Sequence, residues 1–468
     1  MPLTFGDEKM TVYSIVKLSE LKGAKRIDAD RYRVEFLELD NNLRKISFIR
    51  ELKSLIVEPV RTGHTPRDRD IYEGDKRIYF IKTDTLREGL IDFENSDFLP
   101  DRSLSERDYL KPKDVIVTII GAHFDVIGRA AIFLPHHPQT VVNQNIAVIK
   151  PDENILNPFY LMVFLNSKYG REQLWMLSRQ TEQVNLNCRE VEKLLVPVFD
   201  IDFQKEIELF SKKSSELVEK SKSLYSHAET LLLEELGLKG FKPRYEKTYT
   251  ANLSSILSAH RIDAEYFQPT YDEVVKKIKN YKNGFSKLLK HVENVKPDFD
   301  PTKYPDKTFS YVELADIDTS IGVIHSTSEI KGEQAPSRAR RILRKNDVIV
   351  SSVEGSLEKV ALVSKEHEGS LASTGFFQFR PRKILPEVLL VLSKSTVLQI
   401  QLKKACAGTI LTAVPNESLK RILIPILPNE FQQKIASLVR QSHEARRKAK
   451  ELLDEAKRKV EKAIEKEL

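Results

Sequence analysis

Most of the sequence occurs twice. RIDADRYRVEF begins at Arg26 and RIDAEYFQPTY at Arg261. KPKDVIVTIIG, from Lys111, is answered by LRKNDVIVSSVEG, from Leu343. ILNPFYLMVFLNS, from Ile155, is answered by ILPEVLLVLSKS, from Ile384, and LLVPVFDIDFQKEI, from Leu194, by ILIPILPNEFQQKI, from Ile422. Blocks that return in one order at a nearly constant offset define a duplicated domain. A solenoid does not fit, because its units repeat every ~20–50 residues.

Each half follows one plan. The RIDA block leads into a stretch that differs between the copies, residues 55–110 in the first half and 292–342 in the second. DVIV, set between a charged turn and a glycine, reads as a buried strand, and RAAIFL and KVALVS as further strands. Pro158 or Pro386 then opens a helix, since the first turn has no use for the missing N–H. Each half closes with one long helix. The fold class is therefore α+β: two similar α/β domains joined by two long antiparallel coiled-coil helices about a pseudo-two-fold axis.

The two long helices carry a seam. Phe203, Ile207, Phe210, Ser214, Leu217, Ser221, Leu224, Ala228 and Leu231 alternate spacings of four and three, as do Phe431, Ile435, Leu438, Ser442, Ala445, Ala449, Leu452 and Ala456. That alternation is the coiled-coil heptad, and small residues on it let two backbones approach. Gly237, Gly240 and Pro243 end the first helix. Matching registers predict that the two helices pack on each other, with the globular parts at opposite ends.

Composition sets outer limits. At 468 residues with 41% hydrophobic residues, the chain has room for two or three cored domains. A net charge of +7 permits a local nucleic-acid-binding patch without demanding one. Cys188 and Cys406 cannot form a disulfide framework or a zinc site and suit a reducing compartment. MPLTFGDEKM lacks an apolar signal core, and no run approaches the ~20 apolar residues of a span. A cytoplasmic protein without membrane contact is expected.

Catalytic motifs are sparse. There is no GxxxxGK[ST] loop, so no ATPase motor is expected, and no glycine-rich loop after a first strand to hold a nucleotide or S-adenosylmethionine. NPFY at Asn157 resembles the Asn-Pro-Pro-Tyr of DNA methyltransferases, but Phe159 stands in place of proline and the second copy has LPEV, so a helix start reads better. Pro305-Asp306 with Glu329-Ile330-Lys331 fits the loose PD…ExK nuclease pattern, in which two carboxylates hold Mg²⁺ and a lysine positions water. The first half has no counterpart. His136 and His137 lack ligand spacing. No catalytic residue and no metal ligand is assigned.

Taken in order, these blocks resemble the specificity subunit of a type I restriction-modification enzyme. The resemblance rests on RIDAEYFQPTY, YVELADIDTSIGVI, APSRARRILRKNDVIVSS, ASTGFFQFRP and IPILPNEFQQKI. In the first half it rests on RTGHTP, FIKTDTLREGLI and QNIAVIKP, and it covers nearly the whole chain. It implies target-recognition domains over 1–199 and 258–427, long spacer helices over 200–237 and 428–468, and a linker over 238–257. It implies a non-catalytic subunit that reads an asymmetric bipartite site in double-stranded DNA and directs methyltransferase (modification) and motor-nuclease (restriction) subunits to it. S-adenosylmethionine, ATP and Mg²⁺ would sit on those partners, with no cofactor on this chain.

Base readout needs bidentate donors and acceptors backed by cations on phosphates. Arg61, His64, Arg67, Arg69, Lys82 and Arg87 occupy the divergent stretch of the first half, and Arg338, Arg340, Arg341 and Arg344 that of the second or its border. Gln180, Gln183, Asn185 and, in the second copy, Thr409 mark polar loops. Phe203, Phe210, Leu217, Leu224, Leu438 and Leu452 are the expected partner-docking positions on the helices. Two other readings remain: a Mg²⁺-dependent PD-ExK nuclease using Asp306, Glu329 and Lys331, and a coiled-coil scaffold that does not bind DNA.

Overall fold

β-Branched residues suit a packed, pleated surface, and the two DVIV blocks accordingly form strands Val115–Thr118 and Val348–Ser351, buried throughout. This structure, a computed structural model, describes residues 15 and 29–468 apart from 122, 123, 125, 180–183, 243 and 408–411. Pro243 thus lies outside the described residues. By their contacts the residues fall into two units, Met1–Glu216 with Lys448–Leu468, and Leu217–Arg447.

Unit 1 contains β1 (Arg61–Thr62), β2 (Arg77–Ile81), β3 (Leu86–Arg87), β4 (Leu90–Ile91), β5 (Asp97–Pro100), β6 (Val115–Thr118), β7 (Ala130–Ile132), β8 (Thr140–Val142) and β9 (Ile146–Ile149). One sheet runs β1–β9–β6–β7 and is antiparallel throughout. The other runs β8–β2–β5, with β8 parallel to β2 and β5 antiparallel to it. β3 and β4 form a separate hairpin. Helices α1 (Pro158–Asn166) and α2 (Lys168–Leu177) cover the first sheet. The NPFY stretch is a helix start: Pro158 lies in the first turn and the Asn157 side chain accepts N–H groups of Phe159 and Tyr160. Such a cap contributes ~1 kcal/mol.

Unit 2 repeats this order with β10 (Val292–Asn294), β11 (Thr308–Val312), β12 (Ile317–Asp318), β13 (Val323–Ile324), β14 (Ser328–Lys331), β15 (Ala339–Ile342), β16 (Val348–Ser351), β17 (Val360–Leu362), β18 (Leu371–Ser373) and β19 (Phe376–Pro381). The antiparallel sheet is β10–β19–β16–β17, and the mixed sheet is β14–β11–β18–β15 with β18 parallel to β11. β12 and β13 form the hairpin. One strand differs. Where unit 2 has β15 beside β18, unit 1 has a single bridge between Tyr109 and Val141. Helices α4 (Pro386–Lys394) and α5 (Thr396–Ala405) follow, again with proline in the first turn.

The long helices are α3 (Ile201–Glu235) and α6 (Asn429–Glu465). In unit 1 they run antiparallel: Ser214 Oγ donates to Ala449 O at 2.7 Å, and Lys459 pairs with Glu206. In unit 2, Ser221 and Ser442 exchange hydroxyl-to-carbonyl bonds at 2.8 and 2.7 Å. The expected seam is corrected at every second position. Ile207, Ser214, Ser221 and Ala228 are buried as predicted, but the positions between them are Ser211, Val218, Tyr225 and Leu232, one residue later than Phe210, Leu217, Leu224 and Leu231. On α6, Val439 and Val460 are buried while Leu438 and Leu452 are half-buried. Helices close enough for serine-to-backbone bonds leave no room for a large ring beside Ser214 and Ser221, and the one ring of the stripe, Tyr225, is buried in the core of unit 2. Phe203 turns aside onto Tyr160 and Phe199 of its own unit, with ring centroids 6.3 and 4.8 Å apart.

Candidate nucleic-acid interface

The expected reading residues are spread over the antiparallel sheet (Arg61), the hairpin (Arg87) and the mixed sheet with its loops, and the two copies treat them differently. In unit 1 the chain leaves β1 through Gly63, where a Cβ would stand 1.9 Å from Val142 O, so only glycine passes there. The next segment turns outward. His64, Arg67 and Arg69 are exposed. Arg102, which the sequence reading passed over, organises that loop: it pairs with Asp68 and with Asp75 at 3.2 Å, donates to Asp70 O at 2.8 Å, and lies 5.0 Å over the Tyr72 ring. Two loop carboxylates are thereby neutralised, while Arg67, Arg69, Lys76 and Arg77 remain at the surface.

Other members of the set are engaged within the chain. Lys82 pairs with Asp97 at 2.7 Å, and that hydrogen bond holds the ammonium pKa above its usual value. Arg61 is half-buried and donates to Tyr109 O at 3.4 Å. Arg87 is half-buried on β3, and Asn185 is exposed on a short strand paired with Ile120–Gly121. Gln180, Gln183 and Thr409 lie outside the described residues.

The arginine cluster of unit 2 is not one surface patch. Arg338 is exposed, Arg340 is tied to Asp300 at 2.6 Å, and Arg341 is buried at 4% exposure, donating to Val295 O at 2.5 Å. β15 alternates inward and outward residues, and Arg341 falls on the inward side with Ala339. Desolvation lowers its pKa to about 10. As a direct DNA contact Arg341 is therefore corrected: its guanidinium fills the sheet interior. Arg344 is exposed in the turn before β16.

Both units also present an aromatic residue that the sequence reading did not single out. Tyr72 is 62% exposed and Tyr304 52%, each shortly before the first strand of its mixed sheet. Tyr304 stacks on Phe299 with centroids 5.9 Å apart and planes 5° from parallel. A trace of it stands in YEGDKRIYF and YPDKTFSYV, where a tyrosine precedes the strand by five residues in the first half and by four in the second.

Asp306, Glu329 and Lys331 are all exposed, with Glu329 opposite Ser310 and Lys331 opposite Thr308 across β14 and β11. Among the described residues no group of three or more His, Cys, Asp or Glu side chains is placed to hold a metal ion. No helix of the described residues is long and apolar enough to cross a membrane.

Comparison with known proteins points one way. The chain is 26% identical over 164 residues to the chain assigned as the MjaX type I restriction enzyme specificity subunit of Methanocaldococcus jannaschii, covering 34% of this chain and 37% of that one. It is 24% identical over 190 residues to the type I restriction enzyme EcoBI specificity subunit of Escherichia coli, covering 39% and 36%. These alignments span little more than a third of the relatives' own lengths. No protein-family model matches. Among solved structures, a type I restriction-modification S subunit from M. genitalium aligns over 90% of this chain and 95% of its own at 13% identity and TM-score 0.38. The HsdS subunit from Thermoanaerobacter tengcongensis aligns over 90% and 98% at 14% identity and TM-score 0.30. Over the stretches aligned in sequence, the chain is similar to type I restriction-enzyme specificity subunits.

Proposed function

We propose that this chain is the non-catalytic, sequence-reading subunit of a type I restriction-modification complex. Each unit uses its mixed sheet and neighbouring loops to read one part of an asymmetric bipartite site in double-stranded DNA. The chain brings modification subunits, which would carry S-adenosylmethionine, to that site, and a restriction subunit supplied with ATP and Mg²⁺ joins them. The observation that carries the reading is the repeated architecture. The same antiparallel sheet, mixed sheet and hairpin recur in the same order, while the loops on them differ in charge and aromatic content. A shared framework with different outward residues suits two different half-sites. In unit 1 the readers are Arg67, Arg69, His64 and Tyr72, and in unit 2 Arg338 and Tyr304, with Thr409 kept as a candidate from the sequence alone. Phosphate contacts from exposed Lys and Arg would position the duplex, and side chains at base edges would specify it. The half-buried Phe203, Phe210, Leu217, Leu224, Leu438 and Leu452, flanking the seam, are the docking positions offered to modification subunits.

The test is to expose DNA to the chain together with modification subunits and to map the modified adenines. The expected result is one motif with two unlike half-sites at fixed separation. A palindromic motif, or modification without sequence preference, would overturn the proposal.

A further inference from the structure

One contact recurs in both units without belonging to the reading surface. In unit 1 the β3–β4 hairpin ends at Glu88 and Gly89, and this turn rests on α6. Glu88 pairs with Lys457 at 2.9 Å, and Lys457 also meets Asp454 at 2.9 Å. Gly89 has φ +68°, and a Cβ there would stand 2.8 Å from Leu453 Cδ2. In unit 2 the β12–β13 hairpin rests on the same helix through other residues. Asp318 pairs with Arg446 at 3.0 Å, and His443 Nε2 lies 2.9 Å from Ile321 O. Gly322 again has φ +68°, with a Cβ position 2.7 Å from Leu390 Cδ1.

The Asp318–Arg446 pair is well covered, at 12% and 23% exposed, while Lys457 is 19% exposed and its partner Glu88 40%. Each hairpin pairs with itself and is tied to the antiparallel sheet through its turn glycine: Gly89 N–H donates to Ala130 O at 2.8 Å, and Gly322 O accepts from Leu362 N–H at 3.0 Å. A left-handed glycine lets the backbone come within contact of its neighbours, where any side chain would force it away. An ion pair to the helix then fixes the lateral position, most firmly in unit 2, where shifting the hairpin would part the covered Asp318 carboxylate from Arg446. The ion pair to α6 and the left-handed glycine both occur twice, the glycine approaching α6 at Leu453 in unit 1 and α4 at Leu390 in unit 2.

We infer that these hairpins are the joints that hold each reading surface at a fixed angle to the long helix, and that Glu88–Lys457 and Asp318–Arg446 determine specificity for half-site separation. The inference rests on the DNA-reading function proposed above. A joint matters because the target is a screw. Changing the separation by one base pair moves a half-site by ~3.4 Å and turns it by roughly 35°. A stiff joint refuses that turn, whereas a loose one follows it. Lys457 and Arg446 are positioning residues, with no contact to DNA.

The experiment measures binding of the full chain, with modification subunits, to duplexes carrying the mapped half-sites at separations varied by single base pairs. The natural sequence should prefer one separation by about tenfold over its neighbours, the scale of one mismatched base pair. Lys457→Met and Arg446→Met should each flatten this preference to within about threefold, while the penalty for a wrong base inside a half-site stays unchanged. Lys457→Arg and Arg446→Lys should restore the sharp preference. Glu88→Gln serves should Lys457→Met fail to fold, as judged by thermal unfolding. A sharp preference retained in the Met or Gln variants overturns the inference, as does a natural chain indifferent to separation. Loss of half-site discrimination in the natural chain would instead defeat the DNA-reading proposal.

Discussion

If the long helices set the distance between half-sites, lengthening both by one heptad should lengthen the target. α3 has 35 residues, about 52 Å at ~1.5 Å per residue, or roughly 15 base pairs at ~3.4 Å each. The hydrogen bonds say where to insert. Ser214 meets Ala449 in one unit and Ser221 meets Ser442 in the other, one heptad along on each helix. Seven residues added between Glu216 and Leu217, and seven between Arg447 and Lys448, fall at the boundary of the units and leave the contacts inside each intact. Seven residues nearly complete two turns, so the buried stripe stays in register. Each helix gains about 10 Å, close to three base pairs, and three base pairs turn the duplex by about 100°. The assay is selection of bound duplexes from a pool with fixed half-sites and random separation. The expected result is a longer separation, or weak binding at every separation where the added rotation cannot be met. A lengthened protein that still prefers the original site at undiminished affinity would refute the ruler.

Four further outcomes are expected. The chain alone should neither methylate nor cut DNA, and Mg²⁺-dependent cleavage lost in Asp306→Ala would instead revive the nuclease reading. Arg338→Ala should weaken binding through one half-site by about 1–3 kcal/mol if it reads a base. Arg341→Met should leave affinity and its salt dependence unchanged, because the guanidinium is inside the sheet, and the reverse order of effects would refute the placement. Burial holds the His443 imidazole below its ordinary pKa, against the weaker upward pull of its bond to Ile321 O and of Glu387 and Asp318. The unfolded chain therefore binds more protons near that range, and unit 2 should lose stability as pH falls below about 6.5. Urea unfolding at several pH values should show this slope, and His443→Gln, which keeps an N–H donor, should reduce it; an unchanged slope would refute the assignment.

The fold was legible wherever local pattern and burial coincide. DVIV, Pro158 and Pro386 each meet one requirement, a dry strand or a first helical turn, and each lies where that requirement predicts. The seam was half legible. Ile207, Ser214, Ser221 and Ala228 belong to either of two stripes that differ by one residue at alternate positions, and only the partner helix chooses between them. Charge gave even less, since arginines close in sequence point to opposite sides of β15, and composition cannot tell a guanidinium in the sheet from one in water. Contacts such as Glu88–Lys457, 369 residues apart, leave no local trace. Yet the repeat held one clue that periodicity did not use. Residues shared by both copies are usually shared because they pack, as the buried DVIV strands are. Tyr72 and Tyr304 stand within one residue of the same place ahead of their strands, inside otherwise divergent stretches, and leave more than half of their surface open. Arg102 covers one side of Tyr72 and Phe299 one side of Tyr304, and the open side of each ring is free to meet a base or sugar on the faces where the two half-sites are proposed to lie.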